Sequence, residues 1–165
     1  FRKIDSNLQG HPDMNKVPGV DMTTGSLGQG LSVANGMALS SKMDSKGYRV
    51  YCLLGDGEIE EGQVWEAAMT SSKYKLDNLC VIVDNNNLQI DGEIAKVKGL
   101  NKIEEKFESF GFKVINVDGN NIEQLIDYNG RQLNMDRVNI TDGVIFIVSN
   151  SPILCHKVNG TYVIF

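Results

Sequence analysis

An aspartate between two glycines, Gly55-Asp56-Gly57, runs directly into Glu58 and Glu60-Glu61-Gly62. Thirty residues beyond Asp56, the run Asn85-Asn86-Asn87 leads into Leu88-Gln89-Ile90-Asp91-Gly92. These are oxygen donors set among glycines. They suit a hard divalent cation holding a phosphate better than a thiol or imidazole metal centre. Asp56 offers a carboxylate, Asn86 an amide oxygen, and the main chain beyond Asn86 a carbonyl, while Gly55 and Gly57 let backbone come close to a diphosphate. Read singly, each half is also an ordinary turn: two glycines around an aspartate, or asparagines tolerating left-handed backbone. It is the pairing at this spacing that points to chemistry.

Each cluster ends an apolar, β-branched run, Val50-Tyr51-Cys52-Leu53-Leu54 before the first and Leu79-Cys80-Val81-Ile82-Val83 before the second. Both clusters are therefore expected at the carboxyl ends of buried strands, where open α/β sheets place their ligands. Thirty residues is about one strand–helix–strand unit, so the two loops should come to lie side by side.

Taken with their filling, GDGEIEEGQVWEAAM and KLDNLCVIVDNNNLQIDG, these clusters resemble the thiamine-diphosphate-binding signature and, within it, transketolase. The likeness runs from about Gly10 to about Asn120. It implies thiamine diphosphate with Mg2+, or Ca2+ or Mn2+ in its place, held by the Asp56 and Asn86 side chains and the Leu88 main-chain carbonyl. It further implies that Gly55, Gly57 and Glu58 adjoin the cofactor. The loop Gln89 to Gly92 continues over it, where Ile90 counts as a cofactor-lining residue and Asp91 as structural. The implied reaction moves a two-carbon ketol unit from a ketose phosphate to an aldose phosphate, the pentose phosphate pathway type of transfer. The family's aminopyrimidine-activating glutamate belongs to a second domain, so turnover is expected only with a carboxyl-terminal transketolase subunit or domain, in a homodimer or heterotetramer. Two other readings stay open: another thiamine-diphosphate enzyme, of the oxo-acid dehydrogenase or deoxyxylulose-phosphate synthase type, and a truncated chain without activity.

Upstream, His11 lies in the turn-rich segment Gly10-His11-Pro12-Asp13. It reads either as a plain loop histidine or, by the resemblance, as a polar contact to substrate. Thr24-Gly25-Ser26-Leu27-Gly28-Gln29-Gly30 then opens a helix to about Lys42, with Leu27, Leu31, Ala34, Met37 and Ala38 on its buried face. The resemblance sets Gly25 and Leu27 against the cofactor, with Ser26 where the family often has proline. Gly28, Ser32 and Gly36 form a small-residue stripe that suits either close helix packing or cofactor contact. Glu61 and Glu66 fall on or near a second helix, Glu61 to Lys73. They are either favourable charges at its start or, by the resemblance, part of an acidic network linking the two active sites of a dimer.

The 165 residues are 41% hydrophobic with a formal net charge of −5. That is one globular domain's worth of chain with no basic stripe for nucleic acid. Apolar runs are strand-length and no signal peptide is present, which predicts a cytoplasmic chain with no membrane contact. The chain opens without methionine, as a fragment would. Cys52 and Cys80 fall inside apolar runs and Cys155 stands alone, so reduced thiols are expected. Further on, a helix is expected over Lys102 to Phe110, a strand over Phe112 to Val117, a helix over Ile122 to Leu133 capped by Asn120 or Asn121, and a strand over Gly143 to Val148.

Beyond Asp127 the resemblance decays. Residues 150–165 form a divergent tail in which His156 inherits no role and Thr161 to Phe165 suggest an extra edge strand. The predicted architecture is one domain over residues 1–165, incomplete at both ends: an open, mainly parallel, doubly wound α/β sheet with helices on both faces.

Overall fold

Apolar runs of this length are extended wherever their neighbours can cover them, and four of them form one sheet in the computed structural model. The structure describes residues 1–89, 92–119, 144–149, 157–158 and 161–162. It divides into two compact units, Gly28–Pro152 and a smaller one of Phe1–Leu27 with Ile153–Phe165.

In the larger unit, β1 (Val50–Gly55), β2 (Leu79–Asn85), β5 (Lys113–Asp118) and β6 (Val144–Ser149) stand in the order β1-β2-β6-β5. All three pairings are parallel. A two-residue hairpin, β3 (Leu88–Gln89) with β4 (Gly92–Glu93), follows β2. Four helices accompany the strands: α1 (Gly30–Met43), α2 (Gly62–Lys73), the single turn α3 (Ile94–Val97) and α4 (Ile103–Ser109).

The core explains the sheet's position. Leu31, Ala34 and Ala38 of α1, with Val64, Ala67 and Ala68 of α2, join Leu54, Leu79, Val81, Val83 and Phe107 in one apolar cluster. Trp65 lies 5.0 Å from Phe107 and 6.1 Å from Phe110, ring centre to ring centre, and ties α2 to α4. Residues Leu79 to Val83 are buried without interruption. Cys80 and Ile82, which point away from that cluster, are buried too, so β2 is covered on both faces as a central parallel strand should be. This is the α/β architecture the sequence predicts.

Two expectations change. Leu27 does not join the buried face of α1; it precedes the helix and is 52% exposed. Gly28 is the reason: its φ of +81° is left-handed, and a Cβ there would stand 2.7 Å from the Glu61 Cβ, so the helix begins only at Gly30. Gly36, expected in close packing, meets nothing within 4 Å where a Cβ would stand.

In the smaller unit, Thr161–Tyr162 is extended but is no edge strand of the main sheet. It pairs antiparallel with Lys157–Val158, and Asn159-Gly160 between them is the dipeptide that favours two-residue hairpins. The expected Ile122 to Leu133 helix with its Asn120 or Asn121 cap, Cys155 and His156 lie outside the described residues.

Candidate functional site

Parallel pairing sets the carboxyl ends of β1 and β2 level, with Gly55 opposite Asp84. The Asp56 N–H donates to the Asp84 carbonyl at 3.0 Å, which carries the ladder one residue past the strand. Asp56 is thereby drawn inward and is only 2% exposed. Its Oδ1 accepts the Gly57 N–H at 2.8 Å and its Oδ2 the Asn87 N–H at 2.7 Å. One carboxylate thus bridges the two halves of the motif. Burial raises its pKa from the usual carboxylate range, and the N–H groups of Asn87 and Gly57 pull the other way.

The asparagine run is both a turn and a binding loop. Asn87 takes the left-handed conformation, φ +61°, which aims its N–H at Asp56. Asn86 closes a local turn, its Oδ1 accepting the Leu88 N–H at 2.8 Å, while its Nδ2 donates to Asp84 Oδ2 at 3.1 Å. The other Asp84 oxygen, Oδ1, is buried and has no hydrogen-bond partner among the described residues. Gln89 Oε1 is in the same condition. The Gln89 side chain also lies over Gly57, where a Cβ would stand 3.0 Å from its Cγ. Burial raises the Asp84 pKa as well, with the Asn86 amide opposing and the Asp56 charge adding to the rise. Two carboxylates and two unpaired oxygens therefore face one small loop, a condition that a cation relieves.

The remaining predicted residues of this unit take varied positions. Glu58 turns its carboxylate onto the main chain, accepting the Gly28 N–H at 3.0 Å and the Gly55 N–H at 3.2 Å. Because the Gly55 and Gly57 N–H groups are already engaged by carboxylates, these glycines offer a diphosphate closeness rather than donors. Glu60 reaches the Gly99 N–H at 2.7 Å. Glu61 stands at the N-terminal cap of α2 without a side-chain capping bond, and Glu66 is exposed on the same helix. Leu88 is 61% exposed at the start of the hairpin. Ile90 and Asp91 lie outside the described residues.

In the smaller unit the structure brings His11 and Gly25 together. A Cβ at Gly25, whose φ is +149°, would stand 2.7 Å from the His11 ring. The Thr24 N–H donates to the Pro12 carbonyl at 3.3 Å and the Met14 N–H to the Thr23 hydroxyl at 3.1 Å, so the two segments run alongside each other. Thiol chemistry is excluded for the described cysteines: burial pushes Cys52 and Cys80 up to about 12, and both are free. Among the described residues no three His, Cys, Asp or Glu side chains group as a metal centre. A site made of one carboxylate, one amide and one carbonyl would not form such a group.

The chain matches the family described as transketolase, thiamine diphosphate binding domain, over residues 1–137. It belongs to that family. One of the two kinds of chain that carry the name apulose-4-phosphate transketolase, from Phocaeicola vulgatus, is 46% identical over 124 residues, covering 75% of this chain and 44% of the relative. Human transketolase is 49% identical over 126 residues, covering 76% of this chain and 20% of the relative. Among solved structures, a transketolase from Campylobacter jejuni superposes with a TM-score of 0.77 at 30% identity, covering 90% of this chain and 24% of that one. This transketolase-family chain therefore spans less than half the length of these relatives. No helix among its described residues is long and apolar enough to cross a membrane.

Three participants escape the sequence reading. Asn87 and Gln89 look like filling, since a backbone N–H and an amide resting on a glycine carry no signature of their own. Asp84 looks like the end of a strand; only its spacing of two from Asn86, which puts both on one side of an extended chain, hints at a pairing.

Proposed function

We propose that this chain is the diphosphate- and magnesium-anchoring part of a transketolase, one thiamine-diphosphate-binding domain that acts with a carboxyl-terminal subunit or domain. The observation that carries the reading is the bridge from Asp56 to the Asn87 N–H, which joins the two halves of the motif around a buried carboxylate. The oxygens of the loop fit a hard cation: a carboxylate retains lone pairs after accepting two N–H bonds, and the Asn86 amide oxygen keeps one after accepting Leu88. Asp56, Asn86 and the Leu88 carbonyl would hold Mg2+, which Ca2+ or Mn2+ can replace. Thiamine diphosphate, when bound, supplies the electron sink for breaking and making the carbon–carbon bond.

The chain's own residues bind and orient. Gly55 and Gly57 admit the diphosphate to the ends of β1 and β2, and Glu58 keeps that loop in register with the start of α1. Gly25 and the exposed Leu27 supply a backbone and an apolar surface for the cofactor, Ile90 a further lining, and His11 a polar contact to a sugar phosphate. Glu61 and Glu66 are exposed and open to a second protomer, in a homodimer or heterotetramer. The Phocaeicola relative is named as one subunit of a transketolase for a sugar phosphate, which supports both a partner and this substrate class. A cytoplasmic setting suits such substrates.

Calorimetric titration of thiamine diphosphate into the chain, mixed with the carboxyl-terminal half of a transketolase, tests the proposal. Binding is expected to saturate only with Mg2+, and Asp56→Ala is expected to abolish it. Unchanged binding in that variant would remove the metal assignment.

A further inference from the structure

Asn86 presents an amide, whose two ends are nearly isosteric and chemically opposite. Which end a cation meets depends on what fixes the other. In this chain both ends are dictated by neighbours. The Leu88 N–H can only face the amide oxygen, at 2.8 Å, and the Asp84 carboxylate, which carries no hydrogen when ionised, can only face the amide nitrogen, at 3.1 Å. Asp84 is in turn held by the sheet: it pairs with Gly55 of β1 and Val148 of β6, and its carbonyl takes the Asp56 N–H. Its Oδ1 remains buried without a partner among the described residues, a costly arrangement that a purely structural aspartate would not need.

We infer that Asp84 is a positioning residue of the proposed cation site, fixing the Asn86 amide with its oxygen free for the ion and adding a second negative charge beside Asp56. The inference rests on the anchoring function proposed above, and it extends that function to a residue outside the ligand set. Partners behind metal ligands commonly set affinity by about 10- to 100-fold. Asp84 should do so without being a ligand itself.

The test uses the full chain with the same carboxyl-terminal half, thiamine diphosphate and Mn2+ as the probe, read by electron paramagnetic resonance, alongside thermal melting of the metal-free chain. Asp84→Asn can present either end of its own amide to Asn86, so the lock is lost. Mn2+ affinity is expected to fall about 10- to 100-fold, while the metal-free melting temperature does not fall. Asn86→Asp alone sets two carboxylates against each other and is expected to bind poorly. The double variant Asp84→Asn/Asn86→Asp restores one donor facing one carboxylate and is expected to recover most of the affinity.

Wild-type affinity in Asp84→Asn would overturn this inference and leave the anchoring function standing. Parallel loss of melting temperature and affinity, with no recovery in the double variant, would overturn it in favour of a structural role. A wild-type chain that takes up no Mn2+ would overturn the anchoring function, and this inference with it.

Discussion

The seam between α1 and α2 and the loops at the ends of β1 and β2 both bury polar side chains, and they treat them in opposite ways. In the seam, Asn35 donates to the Ala67 carbonyl at 2.8 Å and accepts the Ser71 hydroxyl at 2.7 Å. Nearer the open end, Gln63 exchanges hydrogen bonds with Gln29 at 2.6 and 3.1 Å and donates to the Ser32 hydroxyl at 3.0 Å. Donors and acceptors match across two helices. At the strand ends, Asp84 Oδ1 and Gln89 Oε1 are left over and two carboxylates share one corner. Folding alone accounts for the first arrangement. The second makes sense only when something else supplies positive charge, so the difference separates polar burial that stabilises from polar burial held ready for a ligand.

Breaking the seam should have the largest effect on stability and none on the ion. Asn35→Ala strands the Ser71 hydroxyl and the Ala67 carbonyl and opens a small void. Denaturant unfolding is expected to show a loss of about 2 kcal/mol, with Mn2+ affinity unchanged in the folded population. Equal losses of stability and affinity would blur the comparison.

Acid should sharpen it. Asp84 has a folded pKa above its unfolded value, so its ionised form costs stability at neutral pH. That cost disappears as pH falls through the raised folded value, because the native state then holds the proton the unfolded state still lacks. The metal-free melting temperature of Asp84→Asn should therefore exceed that of the wild type most at neutral pH, and the gap should close on acidification. A gap that widens toward acid would mean that Asp84 is paired rather than stranded.

The smallest effect is expected at Gly36, which lines an open groove of about 390 Å³ between the helices with Ser32, Gln63 and Glu66. Since a Cβ there meets nothing within 4 Å, Gly36→Ala should raise stability by about 0.5–1 kcal/mol through helix propensity alone. A loss instead, appearing only when the partner half is present, would place that face against the partner.

Much of this is legible in the chain. Runs such as Leu79 to Val83 announce a doubly covered strand, and the Asp56–Asn86 spacing announces that two loops meet. The apolar runs stop one or two residues short of the strand ends, because Gly55 and Asn85 continue the ladder although neither favours extended structure; pairing overrides propensity there. Periodicity sets Leu27 on a helix face because it cannot see the left-handed Gly28 that delays the helix. The place of β6 between β2 and β5 is fixed by long-range pairing, which no local pattern carries. The stranded oxygens are invisible for a related reason, since burial without a partner is a property of the assembled loop. Glu58, a cofactor residue by its position in the motif, turns its carboxylate onto the Gly28 and Gly55 main chain in the fold.

The strand order carries one more consequence, for the nascent chain. When a ribosome has released the polypeptide as far as Asp118, β1, β2 and β5 all exist, yet β5 has no neighbour and β2 presents an open edge, because the strand that joins them spans Val144–Ser149. Every chain must pass through that interval with an apolar, β-branched edge unpaired, the condition that invites pairing with another molecule. Synthesis that pauses or terminates within it would produce an aggregation-prone intermediate rather than a smaller domain.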